Sequence, residues 1–150
     1  MSTTHTDNDG ALRTVLLAIL TLGILGTASE LYLLDHMEET AQWVPLVVLC
    51  ASLVSVVWVG VAASRRSLRF MQAVMSVTVL SGPVGLLQHY RGNAEFELEM
   101  YPSMGGMELV WEALTGATPA LAPGTMILLG LLGLAYCYRH PKLAPSADLA

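Results

Sequence analysis

Four apolar runs of about twenty residues constrain the fold of this chain more than any other feature. They are LRTVLLAILTLGILGTASELYLL at 12–34, WVPLVVLCASLVSVVWVGVAA at 43–63, FMQAVMSVTVLSGPVGLLQHY at 70–90 and LAPGTMILLGLLGLAYCY at 121–138. A helix needs about 20 apolar residues to cross the ~30 Å hydrocarbon layer of a bilayer. The runs therefore predict an all-α integral membrane protein, built as a four-transmembrane-helix bundle over residues 12–138.

Composition agrees with a membrane protein and excludes some functions. Hydrophobic residues make up 54% of the 150 residues and charged residues only 13%, about half the share that is usual in soluble domains. The net charge of −5, with only seven Lys and Arg, argues against nucleic acid as a partner, because phosphate binding needs a basic face. No catalytic Ser/His/Asp arrangement or phosphate-binding loop is present, so we expect a non-enzymatic protein whose first partner is the lipid bilayer.

The basic residues predict the orientation of the bundle. Lys and Arg collect in the short cytoplasmic loops of membrane proteins. Six of the seven fall on one side of the predicted spans, and Arg91 falls on the other. The six are Arg13, Arg65, Arg66, Arg69, Arg139 and Lys142. A multi-pass protein of the cytoplasmic (inner) membrane with both termini cytoplasmic follows, with residues 1–11 and the tail 139–150 predicted to be disordered.

The segment between the third and fourth runs, residues 91–120, is called the cap. It should face outward, and its length favours a folded structure over an irregular loop. We expect Gly92 and Asn93 to end the third span. AEFELEMY, residues 94–101, alternates acidic and apolar residues, which predicts an extended piece. After Pro102, with Ser103 as a candidate N-cap, GMELVWEALTG predicts a short amphipathic helix that lies at the outer interface with Trp111 inward and stops at Gly116.

Small residues predict where helices pack. In span one, Gly23, Gly26 and Glu30 share a face; in span four, Gly130 and Gly133 form a similar seam. Span three carries a matching stripe, and Pro83 should bend that helix. The stripe consists of Thr78, Ser81, Gly82, Gly85 and His89. Because both stripes end near the outer surface, we expect Glu30 to approach His89.

These features favour an accessory or interaction subunit of a larger membrane assembly, or a homo-oligomer. Docking would use the glycine-rich faces, the acidic cap and Trp111. Two alternatives belong to other classes. An oligomer could pass ions or protons along Glu30, since an acid inside a span is a functional candidate. A divalent metal could instead bind at the outer face.

The metal alternative rests on histidines and carboxylates predicted on the outer side. His36 and Glu39 would share a helix face if span one continued that far. With Glu30, His89 and an acid such as Glu95, they would form a His/carboxylate shell. A softer variant for Cu(I) uses the histidines with external methionines, and bis-histidine haem between His36 and His89 is a further alternative. The methionines are Met37, Met100, Met104 and Met107.

Overall fold

The computed structural model describes residues 3–144, with side chains from residue 10 onward. Within residues 3–144, five α-helices follow one another and no strand occurs. They are α1 (Thr3–Leu33), α2 (Trp43–Val61), α3 (Arg65–Met100), α4 (Gly106–Thr115) and α5 (Gly124–Cys137), with short 3₁₀ turns at Thr40–Gln42 and Pro141–Leu143. The predicted all-α class is confirmed for this part of the chain.

Three of the helices, α1, α2 and α3, are long and apolar enough to cross a membrane. They correspond to the first three predicted runs; the run 70–90 lies wholly inside α3, whereas α1 and α2 end one and two residues before their runs do. The fourth run corresponds to α5, which has 14 residues and is therefore about 21 Å long at 1.5 Å per residue. This is shorter than the three long helices and shorter than the hydrocarbon layer.

The two ends of the chain carry more structure than the sequence predicted. Helix α1 begins at Thr3, inside the segment predicted to be disordered. Within the predicted tail, Pro141–Leu143 form a 3₁₀ turn, where the amide of Leu143 donates to the carbonyl of His140 at 2.8 Å. Residues 1–2 and 145–150, which belong to the same predictions, lie outside the described residues.

Helix α1 ends in a tight backbone motif just before His36. Asp35 takes a positive φ of 52°. The amide of His36 donates to the Leu31 carbonyl at 3.0 Å, and the amide of Asp35 donates to the Tyr32 carbonyl at 3.2 Å. This is the hydrogen-bond pattern of a Schellman motif, which closes a helix. Span one therefore does not continue as helix to Glu39, and the predicted shared face of His36 and Glu39 is wrong.

Helix α3 continues where the sequence predicted a break and an extended piece. Gly92 and Asn93 lie inside the helix, and the alternating segment from residue 94 is helical as far as Met100. Both predictions are wrong, because the high helix propensity of Ala, Glu, Leu and Met outweighs the alternation of acidic and apolar residues. Pro83 lies inside α3 as predicted.

The chain divides into two compact units. The first contains residues 1–78 and 129–150, and the second contains residues 79–128. In the first unit, buried apolar side chains come from all four contributing helices; they include Leu20, Ile24, Leu49, Val59, Leu68, Met71, Met75 and Leu129. A buried hydrogen bond of 3.0 Å joins the hydroxyls of Ser52 and Thr78, so α2 and α3 pack through polar as well as apolar contacts.

The second unit consists of the later part of α3, helix α4 and the start of α5. Ala113, Ala120 and Met126 are buried in it, as is Asn93. Helix α4 confirms the predicted short helix, and Gly116 is its C-cap. The predicted N-cap is wrong: Gly105 occupies that position, not Ser103. Gly106 has a positive φ of 63°, which glycine adopts without strain.

Candidate functional sites

The five predicted metal ligands lie on different elements of the chain. Glu30 is exposed in the last turns of α1, His36 is half-buried in the turn after it, and Glu39 is exposed before the first 3₁₀ turn. His89 is half-buried and Glu95 exposed, both on α3. The first three belong to the first unit and the last two to the second, so the approach of Glu30 to His89 stays a prediction.

The structure identifies no ready metal centre in the part of the chain it describes. No group of three or more His, Cys, Asp or Glu there is arranged to hold a metal ion. The methionines of the Cu(I) variant are also largely open: Met100 and Met107 are exposed, and Met104 is half-buried.

Helix formation divides the acids of the cap between two faces. On a helix Glu95 and Glu99 are four residues apart and share one face, while Glu97 points away from both. Glu95 and Glu99 are exposed. Glu97 instead lines an open depression of the second unit with Glu108 and Glu112 of α4. Tyr101, Ser103 and Met104 complete the lining. Three carboxylates thus share one open surface, which has acidic character.

Asn93 holds the cap together from inside α3. Its amide nitrogen donates to the carbonyl of Ala113 at 2.9 Å and to that of Thr118 at 2.7 Å. Its amide oxygen accepts from the backbone and the hydroxyl of Thr118, at 3.1 and 2.5 Å. All four hydrogen-bonding positions of the side chain are therefore used. This role was not predicted from the sequence. The signal that could have indicated it is an amide side chain just after the apolar run 70–90, in a segment that continues as helix.

The predicted interaction glycines differ in their surroundings. A β-carbon at Gly23 would meet the side chain of Leu129, and one at Gly133 would overlap Met75. Both contacts lie within the first unit, so these glycines pack helices of the same chain. Gly130 is buried in α5. A β-carbon at Gly26 would meet no atom within 4 Å among the described residues, so the surface at Gly26 is open.

Trp111 is exposed, with 65% of its surface accessible. Within α4 the buried residue is Ala113, whereas Met107 is 80% exposed. The apolar face predicted for this helix therefore does not pack into the second unit. The large apolar side chains of α4 remain available to lipid or to another protein.

A guanidinium closes the end of α5 in the first unit. Arg13 of α1 donates hydrogen bonds to the carbonyl of Tyr136, to that of Tyr138 at 3.1 Å and to that of Arg139 at 3.2 Å. The last carbonyls of a helix lack partners in the helix and carry partial negative charge, so a cation is favourable there. The sequence indicates only the orienting role of Arg13, because its capping role depends on contacts 123 to 126 residues apart.

The residues after α5 make a second contact of this kind. The ammonium of Lys142 donates to the carbonyl of Ala63, after α2, at 2.7 Å. His140, which is buried, accepts at Nδ1 from the amide of Lys142 at 3.2 Å. Burial lowers the pKa of the His140 imidazole, and the nearby charges of Arg13 and Lys142 lower this pKa further.

No protein-family model, no characterised protein and no solved structure matches this chain.

Proposed function

We propose that this chain is a four-span membrane protein that docks another protein through its cap, as a non-enzymatic accessory subunit. Both termini would lie in the cytoplasm. The observation that carries the proposal is the surface of the second unit. A cap held by Asn93 exposes large apolar side chains together with an acidic depression.

The exposed apolar side chains of the long helices support a membrane location. They occur along the whole apolar length of each helix, whereas soluble monomers rarely expose large apolar patches. Examples are Leu12, Ile19, Leu22 and Leu25 on α1, Val47, Val54 and Val57 on α2, and Val77, Leu80, Val84 and Leu87 on α3. Lipid is the partner that such surfaces fit.

The fourth span would be α5 with the turns that precede it. Backbone hydrogen bonds continue from Ala122, which donates to Pro119 at 3.1 Å, to Met126, which donates to Pro123 at 3.0 Å. These turns extend the apolar segment by a few residues. A short span costs only fractions of a kcal/mol per Å of mismatch, which local thinning of the bilayer can absorb.

The proposed orientation is supported by the contacts of the basic residues. Arg13 contacts the end of α5, and Lys142 contacts the segment after α2. In an alternating four-span topology these segments belong to the same side, as the positive-inside rule requires of the six basic residues.

The surface of the cap fits a protein partner better than a small substrate. Phe96 and Trp111 are exposed, as is Met107, and aromatic residues and methionine are typical of interface centres. The three carboxylates of the depression supply a charged rim, which steers association and selects partners. We therefore expect the docking partner to carry Lys and Arg beside apolar side chains.

Photo-crosslinking in the protein's own cell membranes tests the proposal. A photoreactive residue at Phe96 or Met107 should give protein adducts, whereas the same residue at Leu80, an exposed apolar position on α3, should react with lipid only. Glu108→Gln with Glu112→Gln should lower the adduct yield about fivefold, because two rim charges at about 0.5 kcal/mol each contribute about 1 kcal/mol together. An adduct at twice the chain mass would identify the partner as a second copy.

Equal protein adducts at Leu80, or none at Phe96 and Met107, would contradict docking through the cap. Metal content gives a second readout on protein purified in mild detergent without chelator. Stoichiometric metal that disappears in both Glu30→Gln and His89→Ala would favour the metal alternative instead.

A further inference from the structure

Three arginines stand together at the start of α3. Arg65, Arg66 and Arg69 are all exposed and line one shallow depression; they are called the arginine cluster. Lys142 lies beside them, because its ammonium donates to the carbonyl of Ala63 at 2.7 Å. The sequence contains no Asp or Glu between residues 40 and 94, so α2 and the first thirty residues of α3 offer no carboxylate to neutralise these charges.

The arginine cluster does not stabilise the helix that carries it. The first turn of a helix has positive partial charge, so cations there are unfavourable. Two serines cap the N-terminus of α3 instead. The amide of Ser67 donates to the Ser64 hydroxyl at 3.1 Å, and the amide of Ser64 donates to the Ser67 hydroxyl at 2.9 Å. Arg13, by contrast, donates to the carbonyls that end α5. Among the residues whose side chains the structure describes, the guanidinium groups of the cluster therefore remain available to bind an external anion.

An aromatic pair next to the arginine cluster indicates its level relative to the proposed membrane. Trp58 of α2 and Phe70 of α3 lie with ring centroids 5.5 Å apart, and the two residues are 40% and 39% exposed. Phe70 directly follows Arg69 in the chain. A tryptophan such as Trp58 at the end of an apolar span is typical of the membrane–water interface. The arginine cluster therefore adjoins the level where lipid headgroups lie.

We infer that the arginine cluster, with Lys142 beside it, binds the phosphate of an anionic phospholipid in the cytoplasmic leaflet. The inference rests on the proposed membrane location and orientation. The planar guanidinium group matches phosphate oxygens in a bidentate arrangement, and anionic lipids attract basic segments close to the membrane. A zwitterionic lipid offers the same phosphate without net negative charge, so it should bind much more weakly.

Native mass spectrometry of the full chain in mild detergent tests the site, with phosphatidylglycerol and phosphatidylcholine as probes. We expect phosphatidylglycerol to bind at least tenfold more tightly. Each of Arg65→Gln, Arg66→Gln and Arg69→Gln should weaken this binding about fivefold at low salt, the effect of one juxtamembrane cation. Single changes keep five of the six cytoplasmic cations and so preserve orientation. The matched control is Arg91→Gln, an exposed arginine later on α3, which should leave binding unchanged.

Several results would overturn the inference. They are equal binding of the two lipids, a loss below twofold in all three single variants, or an equal loss in Arg91→Gln. Displacement of phosphatidylglycerol by millimolar inorganic phosphate would identify a free-phosphate site and would also overturn it. Crosslinking at Met107 separates this inference from the proposed function. If phosphatidylglycerol does not bind but protein adducts at Met107 persist, the lipid site alone is refuted. If the lipid binds but no protein adduct forms, docking through the cap alone is refuted.

Discussion

At the scale of single residues, a few polar side chains make contacts that the local sequence does not predict. Asn93 is the clearest case, since its amide saturates its hydrogen bonds with Ala113 and Thr118. Arg13 likewise supplies donors to the carbonyls at the end of α5. A buried polar group that loses its partner costs about 1–3 kcal/mol, so such residues are sensitive points of an otherwise apolar protein.

Asn93→Ala should loosen the cap. The change leaves the carbonyls of Ala113 and Thr118 without their donor, and we expect a loss of about 3 kcal/mol in the stability of the cap. Hydrogen exchange of the backbone amides in 106–118 would measure it. Thr115→Ala is the matched control, because its hydroxyl bonds the Trp111 carbonyl at an exposed position. Equal exchange in wild type and Asn93→Ala would contradict the role of Asn93.

His140 should make the end of the first unit sensitive to acid. Its folded pKa lies below the ordinary value of 6.5 because burial and the charges of Arg13 and Lys142 disfavour the imidazolium. A depressed pKa means that the stabilising contribution is complete above the unfolded pKa and is lost as pH falls from about 6.5 through the folded pKa. Thermal unfolding in mild detergent should therefore occur at lower temperature at pH 5.5 than at pH 7.5.

The control for this prediction is His140→Gln, which keeps a polar side chain and cannot gain charge. The variant should show a smaller decrease in unfolding temperature between pH 7.5 and pH 5.5. An identical decrease in wild type and variant would assign the acid sensitivity to another group.

At the scale of the elements, α3 shows how an alternating pattern and helix propensity predict different structures for one segment. Glu95, Glu97 and Glu99 alternate with apolar residues, which predicts a strand, but Ala, Glu, Leu and Met favour a helix. No neighbouring strand is available within residues 3–144, and a lone strand leaves its backbone groups unpaired. The helix satisfies them within the segment, and it moves Glu97 to the face that meets the acids of α4.

Glycines on these elements should differ in their tolerance of alanine. A β-carbon at Gly82 would overlap the side chain of Ile127 and would lie 3.1 Å from the carbonyl oxygen of Pro123, whereas one at Gly26 meets nothing within 4 Å among the described residues. Overpacking costs about 1–3 kcal/mol, and replacing a helical glycine by alanine gains up to about 1 kcal/mol. Gly82→Ala should therefore destabilise the protein, and Gly26→Ala should not.

Thermal unfolding of the two variants in the same detergent measures this difference. If Gly82→Ala raised the unfolding temperature as much as Gly26→Ala, close packing of α3 on the start of α5 would be refuted. Adduct yield at Met107 adds a readout of assembly. A decrease in Gly26→Ala alone would identify the open face of Gly26 as part of the docking surface.

At the scale of the whole molecule, charge and apolar length together support the proposed membrane location and orientation. Three helices are long and apolar enough to span one, and basic residues adjoin the ends of the runs on one predicted side. The acids are distributed in the opposite way, with five in the cap. On α3 this arrangement opposes the helix dipole at both ends, so the charges follow the proposed orientation and not the stability of the helix.

Cysteine labelling should reveal that orientation. In a background of Cys50→Ala with Cys137→Ala, a membrane-impermeant maleimide should label Ser103→Cys in intact cells. Ser64→Cys should react only after the membrane is opened, because the positive-inside rule keeps the segment with Arg65, Arg66 and Arg69 in the cytoplasm. Labelling of Ser64→Cys in intact cells would reverse the proposed topology.

The sequence by itself determined the helical class, the three long apolar helices and the short helix of the cap. These properties depend on apolar length, helix propensity and turn residues, all of which act over one or a few helical turns. The predicted run at 43–63 accordingly differs by only two residues from α2 (Trp43–Val61).

Only the tertiary structure decided which polar groups meet. Arg13 and the end of α5 are more than 120 residues apart, and Asn93 reaches Thr118 across 25 residues. The same holds for the glycines: Gly23 and Gly26 belong to one sequence stripe, yet only Gly23 meets a neighbour among the described residues. A spacing along one helix defines a face, and the partner of that face depends on where the other helices pack.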